Sequence, residues 1–302
     1  MSILVVGSVA LDTVKTPFGS ANEVLGGSAT YFSTAASFFA DVRVVAVVGE
    51  DFPGEHLAFL QSRSIDLQGL RRVPGRTFRW VGEYGFDLNE ARTLETQLNV
   101  FADFQPEIPE SYRESELVFL ANIDPDLQRE VLRQVRSPKL VAADTMNYWI
   151  DGKPEALRET LKSVDILLIN DSEVRQLARE PNLVRAARRI LDWGPTSLVI
   201  KRGEYGALMV REDGWFAAPA IPLDSVFDPT GAGDCFAGGF MGYLANTMNF
   251  DETNIRKAIV MGSVMASFDV EAFSLDRLRR LTYPEIEGRY KAFRRLAHFE
   301  DL

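Results

Sequence analysis

Short apolar runs rich in Val, Ile and Leu alternate with helix-patterned segments along most of the chain, and that alternation restricts the fold more than any other feature. The runs lie at Ile3 to Gly7, Val42 to Val48, Leu117 to Ala121, Leu140 to Ala143, Ile166 to Ile169 and Leu198 to Ile200. They read as buried strands. Helical patterns occupy Ser28 to Phe39, Gly54 to Arg63, Asp126 to Val135, Glu155 to Leu161, Glu173 to Ala178 and Leu183 to Leu191. Strands alternating with helices predict a largely parallel sheet with helices on both faces, an α/β fold. A chain of 302 residues can bury roughly three quarters of its unfolded surface this way, with no disulfide or metal staple.

Two stretches break the alternation. Phe78 to Tyr84 and Thr96 to Phe101 have extended, aromatic or alternating character, and no full-length helix separates them. They predict an antiparallel excursion from the main sheet, so the interval Leu70 to Pro109 is the expected small subdomain. Beyond Gly206 a hairpin is expected, Ala207 to Val210 with Gly214 to Ala218. Helices are expected after Gly231, at Asp251 to Phe268 and at Tyr283 to Ala297.

Charge and composition remove several function classes. Lys+Arg 33 against Asp+Glu 43 leaves a net charge of −10, which disfavours nucleic acid as a partner and obliges any phosphate ligand to find local positive potential. Cys235 cannot form an internal disulfide, and His56 and His298 do not make a zinc set. The amino terminus has no basic region ahead of its apolar run, which stops well short of the ~20 residues of a membrane span. A cytoplasmic protein with no membrane partner is expected. Asn170-Asp171-Ser172 matches a glycosylation pattern, which without a secretory signal is read as chance.

The chemistry concentrates in Asp228-Pro229-Thr230-Gly231-Ala232-Gly233-Asp234, followed by the helix-compatible run Cys235 to Phe240. Pro229 disfavours helix at Asp228, which places Gly231 to Gly233 at a helix amino terminus. Amides there lack intrahelical acceptors and face the positive end of the helix dipole, so they can bind an anion, and glycine lets a phosphate approach closely. Asp234, within one turn, can accept a proton from a substrate hydroxyl while those amides hold the phosphoryl group under attack. That is the minimum apparatus for phosphoryl transfer to an alcohol. A plain Pro/Gly turn with an acidic residue in the first helical turn is the alternative.

This string resembles the second signature of the PfkB (ribokinase-like) carbohydrate and nucleoside kinases, and the resemblance extends over nearly the whole chain. It implies a three-layer α/β/α sandwich, one domain over residues 1–302, with a mostly parallel central sheet and a small β-lid inserted within about 70–109. In that family Asp234 corresponds to the catalytic base and Gly231, Ala232 and Gly233 to its anion hole, with Thr230 beside the nucleotide. Gly26-Gly27 is similar to the di-glycine motif that contacts the acceptor, and Asp12 matches the hydroxyl-binding aspartate. Sugar kinases of the family usually carry Asn four residues beyond the second glycine, where this chain has Tyr31. Asn170 and Glu173 resemble the N-x-x-E motif that organises Mg2+ near ATP, usually through water; a helix cap explains the same spacing. Lys201, Gly203 and Gly206 resemble the nucleotide loop, with Lys201 where many relatives have Thr and facing the phosphates or ribose. Asp144-Thr145-Met146-Asn147 looks like the D-x-N element stretched by one residue. Ser263, in Met261-Gly262-Ser263, falls where relatives line the adenine pocket, although a core helix accounts for it almost as well.

The implied activity is transfer of the ATP γ-phosphoryl group to a hydroxyl of a small polyol. A sugar or sugar derivative ranks first, with a nucleoside or inositol as alternatives. Lid strands also form a dimer interface in several relatives. If Phe78 to Tyr84 is a strand, Phe78, Trp80 and Tyr84 share one face, and Trp80 is expected against the acceptor. A dinucleotide dehydrogenase is disfavoured because Gly7-Ser8-Val9-Ala10 lacks G-x-G-x-x-G, and a P-loop ATPase because G-x-x-x-x-G-K-[ST] is absent. A non-catalytic metabolite-binding regulator of the same fold would tolerate loss of the base, which is present.

Overall fold

The chain, seen in a computed structural model, is described for residues 2–298; the ends of the expected 1–302 domain lie outside them. The strands are β1 (Ser2–Val6), β2 (Ala10–Thr16), β3 (Gly19–Gly26), β4 (Asp41–Gly49), β5 (Ile65–Val73), β6 (Phe78–Tyr84) and β7 (Ala91–Gln97). They continue with β8 (Leu117–Leu120), β9 (Leu140–Ala143), β10 (Ile166–Asn170), β11 (Ser197–Lys201), β12 (Ala207–Val210) and β13 (Trp215–Ala218). The helices begin with α1 (Ser28–Ala36), α2 (Gly54–Ser62), α3 (Pro125–Gln134), α4 (Asn147–Gly152) and α5 (Pro154–Leu161). After them come α6 (Asp171–Ala178), α7 (Leu183–Leu191), α8 (Ala232–Thr247), α9 (Glu252–Asp269), α10 (Asp276–Arg280) and α11 (Tyr283–Leu296).

Nine strands form the central sheet in the order β13-β12-β11-β10-β9-β8-β1-β4-β5. Pairings from β11 through to β5 are parallel, and the β12–β13 hairpin adds an antiparallel edge. Period-two alternation divides each central strand between two cores. Ile3 and Val5 point to one core, with α1, α8, α9 and α11, while Leu4 and Val6 point to the other, with α3, α5, α6 and α7. This is the expected α/β/α sandwich.

A second sheet, in the order β3-β2-β6-β7, stands off the first. Here the structure corrects the sequence reading. Half of the small sheet comes from the amino-terminal hairpin β2–β3, closed at Pro17-Phe18 where Thr16 pairs with Gly19. Asp12 is therefore on a strand, not in a loop. Leu70 to Val73 belongs to β5 of the central sheet, and Phe104 and Ile108 are buried in the main core, so the excursion is narrower than Leu70 to Pro109. The strand expected at Thr96 to Phe101 ends at Gln97 and gives way to a 3-10 turn, Asn99–Asp103. Phe101 stacks between Phe78 and Phe104 there, at 5.3 and 5.5 Å, so Phe78 anchors the small sheet rather than facing a ligand.

Candidate active site

Two groups of polar side chains, the candidate crevices of the site, gather between the small sheet and the carboxyl ends of the central strands, where open α/β sheets bind ligands. The first is built on Asp12. The parallel β2–β6 register sets Asp12 beside Trp80, so both side chains share the inner face of the small sheet. A Cβ at Gly26 would collide with the Asp12 carboxylate. Gly27, with φ +95°, turns the chain into α1, and its N–H donates to Asp12. That turn is locked, because the Ala29 N–H donates to the Ser8 carbonyl at 2.9 Å and the Ser8 and Ser28 hydroxyls accept each other's backbone N–H. The di-glycine is thus required by geometry whether or not a substrate touches it.

Asp12 is 5% exposed. Burial, reinforced by Asp228 and Asp234, pushes its carboxyl up to about 7 against the Gly27 N–H. Asp228 accepts the N–H groups of Thr230 and Ser274 at 2.9 and 3.1 Å, and burial raises it too. Sequence reasoning missed Asp269, the last residue of α9. It is wholly buried beside Cys235, neither carboxylate oxygen has a hydrogen-bond partner among the described residues, and burial holds it well above the carboxylate range. Its signal was a lone acid closing the apolar run Val264 to Phe268. Tyr31 is also buried. Its ring occupies the space a Cβ at Gly231 would need, and its hydroxyl has no hydrogen-bond partner among the described residues. It underlies the anion loop instead of lining an open pocket.

The second crevice is built on α8. Gly231 caps this helix at φ +84°, so Ala232, Gly233 and Asp234 make its first turn. The Ala232 N–H turns back onto the Pro229 carbonyl at 3.2 Å, whereas the Gly233 and Asp234 amides lie where a helix offers no acceptor four residues earlier. Burial, then the Asp144 carboxylate, pushes Asp234 up to about 7, and Lys201 opposes them. Lys201, at the end of β11, donates to Asp144 Oδ2 at 2.6 Å. Burial would pull its ammonium down, but Asp144, Glu173 and Asp234 hold it above its ordinary value.

Asn170 and Glu173 form a reciprocal capping box on α6. Asn170 Oδ1 accepts the Glu173 N–H at 2.8 Å and Glu173 Oε2 accepts the Asn170 N–H at 3.0 Å. Burial, then Asp144, raises Glu173 to about 7, while Lys201 and the cap pull it back. Gly203 and Gly206 have φ +52° and +89°. A Cβ at Gly203 would come within 2.5 Å of Asn89 Oδ1, so the β6–β7 loop reaches the expected nucleotide loop. The Thr230 hydroxyl is turned toward the small sheet, where it donates to the Tyr84 hydroxyl at 3.3 Å. Ser263 donates to the Ile259 carbonyl of its own helix at 3.1 Å, as a core helix requires. The Trp80 ring fills the space that a Cβ at Gly82 would need, with its N–H donating to Thr93 Oγ1 at 3.1 Å.

Comparison with known proteins agrees with this geometry. Residues 3–277 match the pfkB family carbohydrate kinase pattern. The chain is 32% identical to a cytidine kinase of Thermococcus kodakarensis over 247 residues, 80% of this chain and 87% of that protein. It is 27% identical to a nucleoside kinase of Methanocaldococcus jannaschii over 158 residues, 52% of this chain and 50% of that one. Among solved structures, the M. jannaschii nucleoside kinase superposes with a TM-score of 0.77 at 21% identity, covering 96% of this chain and 98% of that one. Ribokinase from Thermotoga maritima superposes with a TM-score of 0.75 at 20% identity, over 96% and 99% of the two chains. Kinases of this family use ATP. The chain therefore belongs to the pfkB family of carbohydrate kinases and has the ribokinase fold, and it transfers phosphate to a hydroxyl group.

Proposed function

We propose that the protein is a nucleoside kinase, with a pyrimidine riboside such as cytidine as its phosphate acceptor. The observation that carries this reading is the likeness to the cytidine kinase along most of both chains. Tyr31 supports it: the plain-sugar reading, ranked first from the sequence, draws on an Asn at that position, and the Tyr31 ring is instead packed beneath the anion loop.

In the proposed reaction Asp12 accepts hydrogen bonds from acceptor hydroxyls beside Gly26 and Gly27. Asp234 takes the proton of the reacting hydroxyl, and the first-turn amides of α8 stabilise the phosphoryl charge. ATP lies along Gly203 and Gly206 at the ends of β10 and β11. Among the described residues no three metal-ligating side chains converge, and Glu173 spends one carboxylate oxygen on its own cap. This donor set fits a cation that keeps its waters, so Asn170 and Glu173 would hold the water shell of Mg2+. Bound there, Mg2+ would supply positive charge against the phosphates. The small sheet is the lid, reaching Thr230 through Tyr84 and Gly203 through Asn89, and excludes water from both crevices.

The test is ADP release with cytidine, uridine, adenosine, inosine, ribose, deoxyribose and inositol as acceptors. A nucleoside is expected to exceed ribose at least about tenfold in kcat/KM, which requires only about 1.4 kcal/mol of extra transition-state binding. Preference for ribose returns the sugar reading. ATP binding without turnover on any acceptor returns the regulator.

A further inference from the structure

Lys201 pairs with the buried Asp144 beyond β9, and among the described residues it is the cation on which Glu173 in α6 and the half-buried Asp234 in α8 also act. Its position is specific. β11 runs beside β10 with Asn170 opposite Lys201, so the side chain leaves the sheet between the α6 turn and the start of α8. There a Cβ on Gly233 would stand 3.1 Å from Nζ, and glycine leaves that space for the ammonium. The Lys201 side chain is 17% exposed and that of Asp144 7%. An ammonium has three N–H donors, and the bond to Asp144 Oδ2 occupies one. Asp144 is itself fixed, its Oδ1 accepting the Thr145 N–H at 2.8 Å.

The sequence reading sets Lys201 against the nucleotide's phosphates or ribose, as the loop resemblance implies. The geometry narrows that expectation to the phosphoryl group being transferred. We propose that Lys201 is a catalytic residue that donates to the phosphoryl group in flight, completing the cradle of first-turn amides on α8, and that Asp144 is the positioning residue that aims it. This rests on the kinase reading of the site. In the step, the acceptor O–H gives its proton to Asp234 and its oxygen forms a bond to the γ-phosphorus. The bond from that phosphorus to the bridging oxygen breaks, and its electron pair leaves on ADP. Negative charge spreads over the three transferring oxygens while Asp234 loses its own charge to the proton. Lys201 faces both places, so it favours the ionised base beforehand and the phosphoryl charge during transfer.

The experiment separates transfer from nucleotide binding. Lys201→Met is expected to lower kcat at least about 100-fold, the loss typical of one preorganised donor, with KM for ATP within about threefold of wild type. Small primary amines are expected to restore part of the rate to Lys201→Ala. Affinity for ADP with aluminium fluoride, a mimic of the flat phosphoryl group, is expected to fall while affinity for ADP alone holds. A raised KM for ATP with kcat intact, or equal fluoroaluminate affinity in wild type and variant, overturns the proposal. Should Lys201→Met fail to fold because Asp144 is left buried and unpaired, the double variant Lys201→Met with Asp144→Asn carries the same comparison. A wild-type protein that phosphorylates nothing overturns the kinase reading alone, since the fluoroaluminate titration still reports on Lys201.

Discussion

The two candidate crevices both hold carboxylates, yet among the described residues only one holds a cation paired with them. On the donor side Lys201 stands among Asp144, Glu173 and Asp234. On the proposed acceptor side the Gly27 amide meets Asp12 and the Thr230 and Ser274 amides meet Asp228, Asp269 is left without a hydrogen bond, and none of the three joins a salt bridge among the described residues. The difference matches the two ligands. A polyphosphate arrives with several negative charges and needs fixed positive charge in a chain whose net charge is −10. A neutral polyol needs acceptors for its hydroxyls, which carboxylates supply without a counter-charge.

The contrast fails first if the donor side needs no added cation. Chelation is expected to abolish turnover and Mg2+ to restore it, because Lys201 alone leaves the three donor-side carboxylates in excess before any phosphate arrives. Turnover that persists in excess chelator removes Mg2+ from the site. Next in size, Asp234→Asn is expected to lower kcat at least about 100-fold, since the amide cannot take the hydroxyl proton. An unchanged circular dichroism spectrum and melting temperature would assign that loss to chemistry. Near-normal turnover in the folded variant removes Asp234 as the base.

Acidity sharpens the contrast further. Asp12 and Asp234 are both pushed up to about 7, so kcat/KM is expected to fall on acidification through that pH. The slope approaches about a hundredfold per unit if both groups must ionise and about tenfold if one must. In Asp12→Asn the limb is expected to return to the single-group slope, with acceptor KM raised. The same substitution should stabilise the protein. A carboxyl raised on folding binds its proton more tightly in the native state, so its contribution to stability is complete below its unfolded value of 3.8 and lost as pH rises through about 7. Asp12→Asn is therefore expected to melt roughly a few degrees above wild type at pH 8, with a smaller difference at pH 5. A difference that grows on acidification would mean that Asp12 is paired after all.

How much of this could be read beforehand differs between the same two sides. The central sheet announced itself because strands such as Ile166–Asn170 are apolar and buried on both faces over their first four residues. The α8 loop was legible because Pro229 keeps Asp228 out of the helix and Gly231 permits the positive φ that opens it. The hairpin β2–β3 was not, because its buried face carries Asp12 between Ala10 and Val14 and its other strand is largely exposed. A functional acid interrupted the period that would have revealed the strand. Strand β5 was missed for a related reason: as a sheet edge it mixes Asp66, Gln68, Arg71 and Arg72 among its apolar residues. Asp269 left only a lone acid at the end of an apolar run, and the Lys201–Asp144 pair depends on contact between distant elements, which no local pattern encodes.

The smallest expected effect concerns the sheet that covers both sides. Trp80 shares the inner face with Asp12, but its ring fills the space that a Cβ at Gly82 would need and its N–H is bound to Thr93 Oγ1. That pose serves packing within the small sheet, and the proposed role adds an aromatic wall to the acceptor. The two roles separate kinetically. If the ring only packs, Trp80→Ala lowers stability and leaves acceptor KM unchanged. If it also covers the acceptor, KM for the nucleoside is expected to rise roughly fivefold, equivalent to about 1 kcal/mol for one lost aromatic face, with KM for ATP unaffected. ATP hydrolysis without acceptor should rise as water gains entry. Thr93→Val frees the indole N–H while keeping the ring, so it is the control: acceptor KM near wild type there, but raised in Trp80→Ala, assigns the effect to the aromatic face. A rise in KM for ATP instead would move the covering role toward the donor side, to the loop that brings Asn89 against Gly203.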